Sequence, residues 1–278
     1  MTTATRTPEI QNIRFEQVTG TIGALVHGVS LGGPHSQALS DQLVHALHEH
    51  GVIFFEFGRL LDVNEFQEFA HLFGEPETTY GLSPKGMKKD PAQGPGSYID
   101  SDKAPMKPNR INVFHSDGTP FERPPQAAIL TPNELPPAGG DTMWASMYAA
   151  WEGLSPHYQS LLDGLDAVHG TARLPFLEQS PRTVHPAVIR DPVTGRKALF
   201  VNANYTESFV GLRERESDSL LRMLCEHINT PEYHVRLRWR PGVVAVWEER
   251  VTQHRGVADF KGPRKLRRMT YAGDRPSR

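Results

Sequence analysis

The sequence predicts a mainly β fold with flanking helices, a double-stranded β-helix or jelly roll. Three observations lead there. Short strand-like runs recur along the chain, and helical stripes stand at the front with one long helix late. Pro at 23 and Gly at 24 among 278 residues favour a turn-rich fold over a helix bundle. A single β unit with added helices can reach this length. Residues 1–15 are therefore expected as a loose arm and 16–278 as one domain.

Thr21 to Val29 reads as a strand. Leu39, Leu43 and Leu47 recur every four residues, which predicts an amphipathic helix over 37–50, ended by Gly51. Val52–Phe57, rich in β-branched and aromatic residues, predicts a buried strand. Asp62 is the expected cap of a helix with Phe66, Phe69 and Phe73 on one face. The stretch 81–108 has no periodicity and many breakers, and reads as a lid or pocket rim, or as a solvated loop without a role. Strand candidates follow at Ile111–Phe114, Gln126–Leu130 and Met143–Trp144. Two short helices split by Ser155-Pro156 are expected over 147–162. Ala167–His169, Thr183–Ile189 and Ala198–Val201 read as strands, with a hairpin turn over 191–195. Arg213–Ile228 reads as a helix, its early acidic residues matching the dipole and Leu220, Leu221, Leu224, Cys225 and Ile228 facing inward. Val235, Leu237 and Trp239 alternate with Arg236, Arg238 and Arg240, the pattern of a half-exposed strand.

A net charge of −2 gives no general attraction to nucleic acid or anionic membrane. Cys225 is the only cysteine, so no internal disulfide or CxxC motif is available, and a buried, inert thiol is expected. The chain has no apolar run of about 18 residues and its first residues lack an apolar signal core. A cytoplasmic setting is the expectation.

Two stretches carry chemistry. In an extended segment, residues two apart point the same way, so His115 and Asp117 could grip one ion. His254 would supply a third ligand. Two histidines and one carboxylate on one face of an octahedron leave the other positions open, the pattern of non-haem Fe(II) oxygenases. The HxD spacing alone also fits a loop hydrogen bond. After His254, Gly262-Pro263 predicts a turn, and the chain is expected to return antiparallel beside the His254 strand. On that return Arg264 and Arg268, four apart, would share a face and offer bidentate anion sites. The competing reading of Lys261, Arg264, Lys265, Arg267 and Arg268 is a solvated edge strand or an RNA-binding stripe.

These blocks resemble the signature of the taurine dioxygenase (TauD/TfdA) family of Fe(II)- and 2-oxoglutarate-dependent oxygenases. That signature reads roughly W-D-N-R-x-x-x-H, a turn, then R-x-x-x-R-x-x-x-x-G-D-x-P. Here it is carried by Trp247, Arg250, His254, Arg264, Arg268, Gly273, Asp274 and Pro276. Phe114-His115-Ser116-Asp117 is similar to the family's W-H-T-D, and Gly139 to Trp144 to its G-G-D-T-x-W. The resemblance spans roughly residues 16–276. It implies His115, Asp117 and His254 as iron ligands, and Thr142 and Arg264 on the distal carboxylate of 2-oxoglutarate. It further implies Arg268 on the anion of a small prime substrate, with Tyr205 as an aromatic pocket wall or a packing residue. Iron, 2-oxoglutarate and O₂ would then act together in a hydroxylation, and family members often form homo-oligomers.

Departures from the pattern bear on the substrate, which is expected to be a sulfonate, a sulfate ester or an aryloxyalkanoate. Glu248-Glu249 replaces Asp-Asn, and Phe114 replaces a tryptophan. The stretch after Phe73–Glu75 offers only Tyr80 as a loose substitute for the family's substrate-side residues, and 169–183 is short. Two rival readings are a catalytically silent jelly roll that binds a ligand and an RNA-associated protein.

Overall fold

The computed structural model describes residues 13–33, 35–77, 97–100, 113–172, 174 and 180–278. Its strands in chain order are β1 (Arg14–Gln17), β2 (Ala24–His27), β3 (Val52–Glu56), β4 (Pro76–Glu77), β5 (Ser97–Asp100), β6 (Ala127–Glu134), β7 (Thr142–Ser146) and β8 (Asp166–His169). They continue with β9 (Thr183–Pro186), β10 (Val188–Arg190), β11 (Lys197–Leu199), β12 (Thr206–Phe209), β13 (His234–Leu237), β14 (Val243–Glu248), β15 (Thr252–Gly256) and β16 (Lys265–Tyr271). The helices are α1 (Gln37–His50), α2 (Val63–Ala70), α3 (Met147–Glu152), α4 (Pro156–Asp163) and α5 (Glu214–Ile228).

The large sheet runs β1-β2-β3-β14-β6-β16-β4, with β5 also pairing β16. A smaller sheet, β13-β7-β15, packs against one face of it. Trp144 and Val235 from the small sheet meet Phe54, Leu130, Trp247 and Leu266 from the large one in a buried layer. This is the double-sheet jelly roll that the strand pattern predicts. The other face of the large sheet is covered by α1 and α2. Leu39, Leu43 and Leu47 of α1 and Phe66 and Phe69 of α2 pack on Ile53, Phe55, Ile129 and Val246. Burying each such side chain contributes roughly 1.5–3 kcal/mol. A third cluster joins α3 and α5 through Tyr148, Trp151, Leu221 and Leu224.

The helix ends follow local chemistry. Ser36 caps α1, and Gly51 closes it at a φ of 72°, its N–H bonded to the Leu47 carbonyl. A Cβ on Gly51 would lie 2.9 Å from Thr252 Cγ2, so both the conformation and the packing ask for glycine. Asp62 and Glu65 form a reciprocal capping box on α2.

Several expectations are corrected. The first strand starts at Arg14, inside the stretch read as an arm. Ser97–Asp100, within the presumed lid, is a strand paired to β16, while the rest of 81–108 lies outside the described residues. Among the described residues, Val113 and Phe114 belong to no strand; His115 makes an isolated bridge instead. The strand expected over 183–189 breaks at Ala187, whose N–H goes to the Leu165 carbonyl as the chain changes sheet. Cys225 is half-buried at the edge of a core cluster, not fully enclosed. Most consequentially, β16 does not return beside β15: it enters the opposite sheet between β6 and β5. The crossing over 257–264 carries Arg268 to the far wall of the sandwich, from which it reaches back across the interior. No described helix is long and apolar enough to cross a membrane.

Candidate metal centre and active site

β15 pairs with β7 in the small sheet, placing His254 opposite Trp144. On the other side of β15 the segment around His115 docks. His115 N donates to the His254 carbonyl at 3.1 Å and His254 N to the His115 carbonyl at 2.8 Å. Such a reciprocal pair sends both side chains to one face, and the ring centroids stand 4.6 Å apart. Asp117, two residues on, shares that face. Ser116 points the other way and donates to the Thr252 carbonyl at 2.7 Å, which fixes the alternation.

One ligand atom from each of His115, Asp117 and His254 lies within 4.8 Å of the others. His115 Nε2 is 3.5 Å from Asp117 Oδ1, and His254 Nε2 is 3.7 Å from Asp117 Oδ2. His115 Nδ1 donates to the Val113 carbonyl at 3.0 Å, which leaves the Nε2 lone pair turned toward the cluster. Burial, with His115 beside it, holds the His254 pKa well below the usual histidine range. For Asp117, burial opposes the charge, but Arg268, His254 and His115 outweigh it and hold the carboxyl well below its ordinary range. A neutral His254 imidazole and an ionised Asp117 carboxylate are protonation states that binding a divalent metal requires.

Arg264 reaches the same cavity from the start of β16. Its Nε donates to the Gly140 carbonyl at 2.7 Å and one terminal nitrogen to Thr142 Oγ1 at 3.4 Å. The close approach depends on Gly140: a Cβ there would meet Arg264 Cδ at 2.9 Å. Trp239 Nε1 also donates to Thr142 Oγ1, at 3.0 Å. With both lone pairs of the hydroxyl used, its proton is left to donate. Arg264 is only 4% exposed, yet no described carboxylate lies within ion-pair distance. Burial pulls its pKa down to about 10. A buried guanidinium with no described carboxylate in ion-pair contact fits an incoming carboxylate.

Arg268 pairs with Asp117 and, at 3.0 Å, with Glu249 Oε1. Its Nε is buried with no hydrogen-bond partner among the described residues. The Tyr205 ring stands 6.4 Å from that of His115 and packs with Leu174. Its backbone N–H donates to Asn202 Oδ1, whose amide donates in turn to Thr119, tying this wall to the His115 segment. Tyr80 lies outside the described residues. Phe114 faces away from the cluster, against His234 and Arg255. Arg267, which the competing reading of the basic stretch puts on a solvated edge strand, is 4% exposed and packs over Phe66. Arg264 and Arg267 of the basic stretch are thus both buried.

Sequence reasoning marked Glu249 only as a departure. In the fold it is buried beside the cluster, and burial and the Asp117 carboxylate push it up to about 8. The available signal was its position on a tight turn, five residues before His254.

The comparisons agree with this geometry. Residues 14–270 match the family model described as taurine catabolism dioxygenase TauD, TfdA family. An alpha-ketoglutarate-dependent dioxygenase cnsM of Penicillium expansum is 36% identical, with 86% of this chain and 71% of that one covered. An alpha-ketoglutarate-dependent sulfate ester dioxygenase of Pseudomonas putida is 32% identical, covering 97% of this chain and 92% of that one. The crystal structure of a taurine dioxygenase from Burkholderia xenovorans superposes with a TM-score of 0.80 at 34% identity, covering 95% and 90% of the two chains. Enzymes of this kind use Fe(II), 2-oxoglutarate and O₂. Fold, matched length and the gathered His-Asp-His cluster converge: this chain belongs to the TauD/TfdA family and is an Fe(II)- and 2-oxoglutarate-dependent dioxygenase.

Proposed function

We propose that His115, Asp117 and His254 hold Fe(II), that Arg264 and Thr142 bind the distal carboxylate of 2-oxoglutarate, and that the enzyme hydroxylates a small anionic substrate facing Arg268 and Tyr205. The observation that carries the co-substrate reading is the buried Arg264 beside the Thr142 hydroxyl, with no ion pair among the described residues. When bound, Fe(II) activates O₂ for the decarboxylation of 2-oxoglutarate to succinate and CO₂, coupled to hydroxylation. The protein's part is orientation. The reciprocal bridge sets the two imidazoles, Ser116 fixes the alternation that aims Asp117, and Arg268 keeps the Asp117 carboxylate ionised. The unsatisfied Nε of Arg268 is a donor for the substrate's anion.

The substrate class rests on that donor and on the sulfate-ester activity of a relative. Hydroxylation of the carbon bearing a sulfate ester replaces C–H by C–OH. The product collapses as the new hydroxyl loses its proton and the C–O bond to sulfate breaks, leaving an aldehyde and sulfate. A sulfonate would release sulfite, and an aryloxyalkanoate a phenol. The test is succinate formation from 2-oxoglutarate against alkyl sulfates, alkanesulfonates and aryloxy acids. Turnover above the uncoupled background is expected with at least one class. Background rates with all three would sink the substrate assignment.

A further inference from the structure

Glu249 stands where the family pattern has asparagine. The side chain is 1% exposed, and three contacts define its setting. Oε2 accepts the backbone N–H of Asp117 at 3.1 Å. Oε1 accepts from Arg268 at 3.0 Å. Oε2 also faces His254 Nδ1 at 3.6 Å. Its own backbone N–H is anchored on the Gln126 carbonyl. One carboxylate thus touches the backbone of one candidate ligand, the ring of a second, and the cation paired with the first. No other described side chain does all three.

We infer that Glu249 is a positioning residue that sets the metal affinity of the centre. This rests on the proposed His115, Asp117 and His254 ligand set. Glu249 acts in three ways. It pins the Asp117 backbone. Its Oε2 stands 3.6 Å from Nδ1 of His254, without a hydrogen bond, and an oxygen there favours a proton on Nδ1 and so the Nε2 lone pair for the metal. It also shares Arg268 with Asp117. An asparagine would leave the guanidinium to Asp117 alone, and that cation would compete with the metal for the carboxylate. Glu249 therefore holds the Asp117 backbone and takes part of the Arg268 pairing, which leaves the Asp117 carboxylate freer for a divalent ion.

A purely structural Glu249–Arg268 pair would cost stability when broken but leave metal binding unchanged, so the readout is affinity. Mn(II) binding to the full chain is followed by EPR in the presence of 2-oxoglutarate. Wild type is compared with Glu249→Gln, Glu249→Asn, Glu248→Gln and His115→Ala. Glu249→Gln and Glu249→Asn are expected to weaken Mn(II) binding on the order of 10–100-fold. Glu248→Gln, which disturbs the adjacent buried carboxylate, is expected to stay within about twofold of wild type, well short of that range. Wild-type affinity in the Glu249 variants overturns the inference, as does an equal loss in Glu248→Gln. If His115→Ala binds Mn(II) as wild type does, the ligand set fails and the inference with it. If only His115→Ala loses the ion, the ligand set stands and the role of Glu249 falls. Glu249→Asn restores the family's residue and keeps the test open should Glu249→Gln not fold.

Discussion

Glu248 and Glu249 follow one another where β14 ends, both buried, at 0% and 1% exposed. The fold sends them to different sides. Glu248 accepts from Nε and a terminal nitrogen of Arg250 at 2.8 and 3.1 Å, with His48 Nε2 3.7 Å away. His48 is bonded to Asp191 at 2.6 Å. Asp191 holds the β10–β11 turn by accepting from the N–H groups of Val193 and Thr194. Each ionic group in that chain meets a protein partner, and the network ties α1 to β14 and to the distant hairpin. Glu249 lies among groups that are not all satisfied: Arg268 Nε and His254 Nδ1 have no hydrogen-bond partner among the described residues. A closed polar network holds a fold together, whereas a buried set with open donors and lone pairs is shaped to receive something.

The largest test of that contrast is to remove a histidine of the cluster. His115→Ala or His254→Ala is expected to abolish succinate formation while the cooperative unfolding transition survives. Normal turnover in either variant would put the centre elsewhere. The next is on the support side. Glu248→Gln breaks a buried ion pair and should cost about 3–5 kcal/mol in denaturant unfolding, without loss of Mn(II) affinity. An unchanged midpoint would show that the network does not support the fold.

The two arginines of β16 give a finer division. Arg264→Ala is expected to raise the 2-oxoglutarate concentration for half-maximal rate by roughly 30-fold or more, as for loss of a buried charge-assisted contact. Arg268→Ala should mainly weaken the prime substrate. Exchanged effects would reverse the assignment. The smallest effect is in pH. Burial disfavours a charged His48, but Asp191 and Glu248 outweigh it and raise its pKa above the ordinary 6.5. A raised histidine stabilises fully below pH 6.5, and that contribution is lost as pH rises through the folded-state value. His48→Gln should flatten this decline in urea titrations at pH 6 and pH 9. A profile that the substitution does not alter would remove His48 from the support network.

Much of this was legible beforehand where the signal was local. The four-residue spacing of Leu39, Leu43 and Leu47 marked α1 from end to end. Asp62 and Glu65 announced their capping box, and Ser155-Pro156 the break between α3 and α4. His115 and Asp117 could be paired because a strand's side chains repeat every second residue. The misreadings were of partnership. β16 was expected beside β15 because a turn lay between them, yet nothing local tells a hairpin from a crossing to the facing sheet. Arg267 looked solvent-facing for the same reason: which face of β16 lies under α2 follows from sheet order.

The sequence by itself determined the chemistry available: an HxD pair, a distant histidine, two arginines four apart and a double glutamate before that histidine. Local spacing sets which face a side chain takes, and those choices survive folding. Only the tertiary structure decided which faces meet. It bridged His115 to His254 across some 140 residues of chain. It brought Arg268 to Asp117 from the opposite sheet. It also turned one of two adjacent glutamates toward the fold's support and the other toward the His-Asp-His cluster, because such contacts are fixed by strand order and sheet packing, which no short stretch encodes.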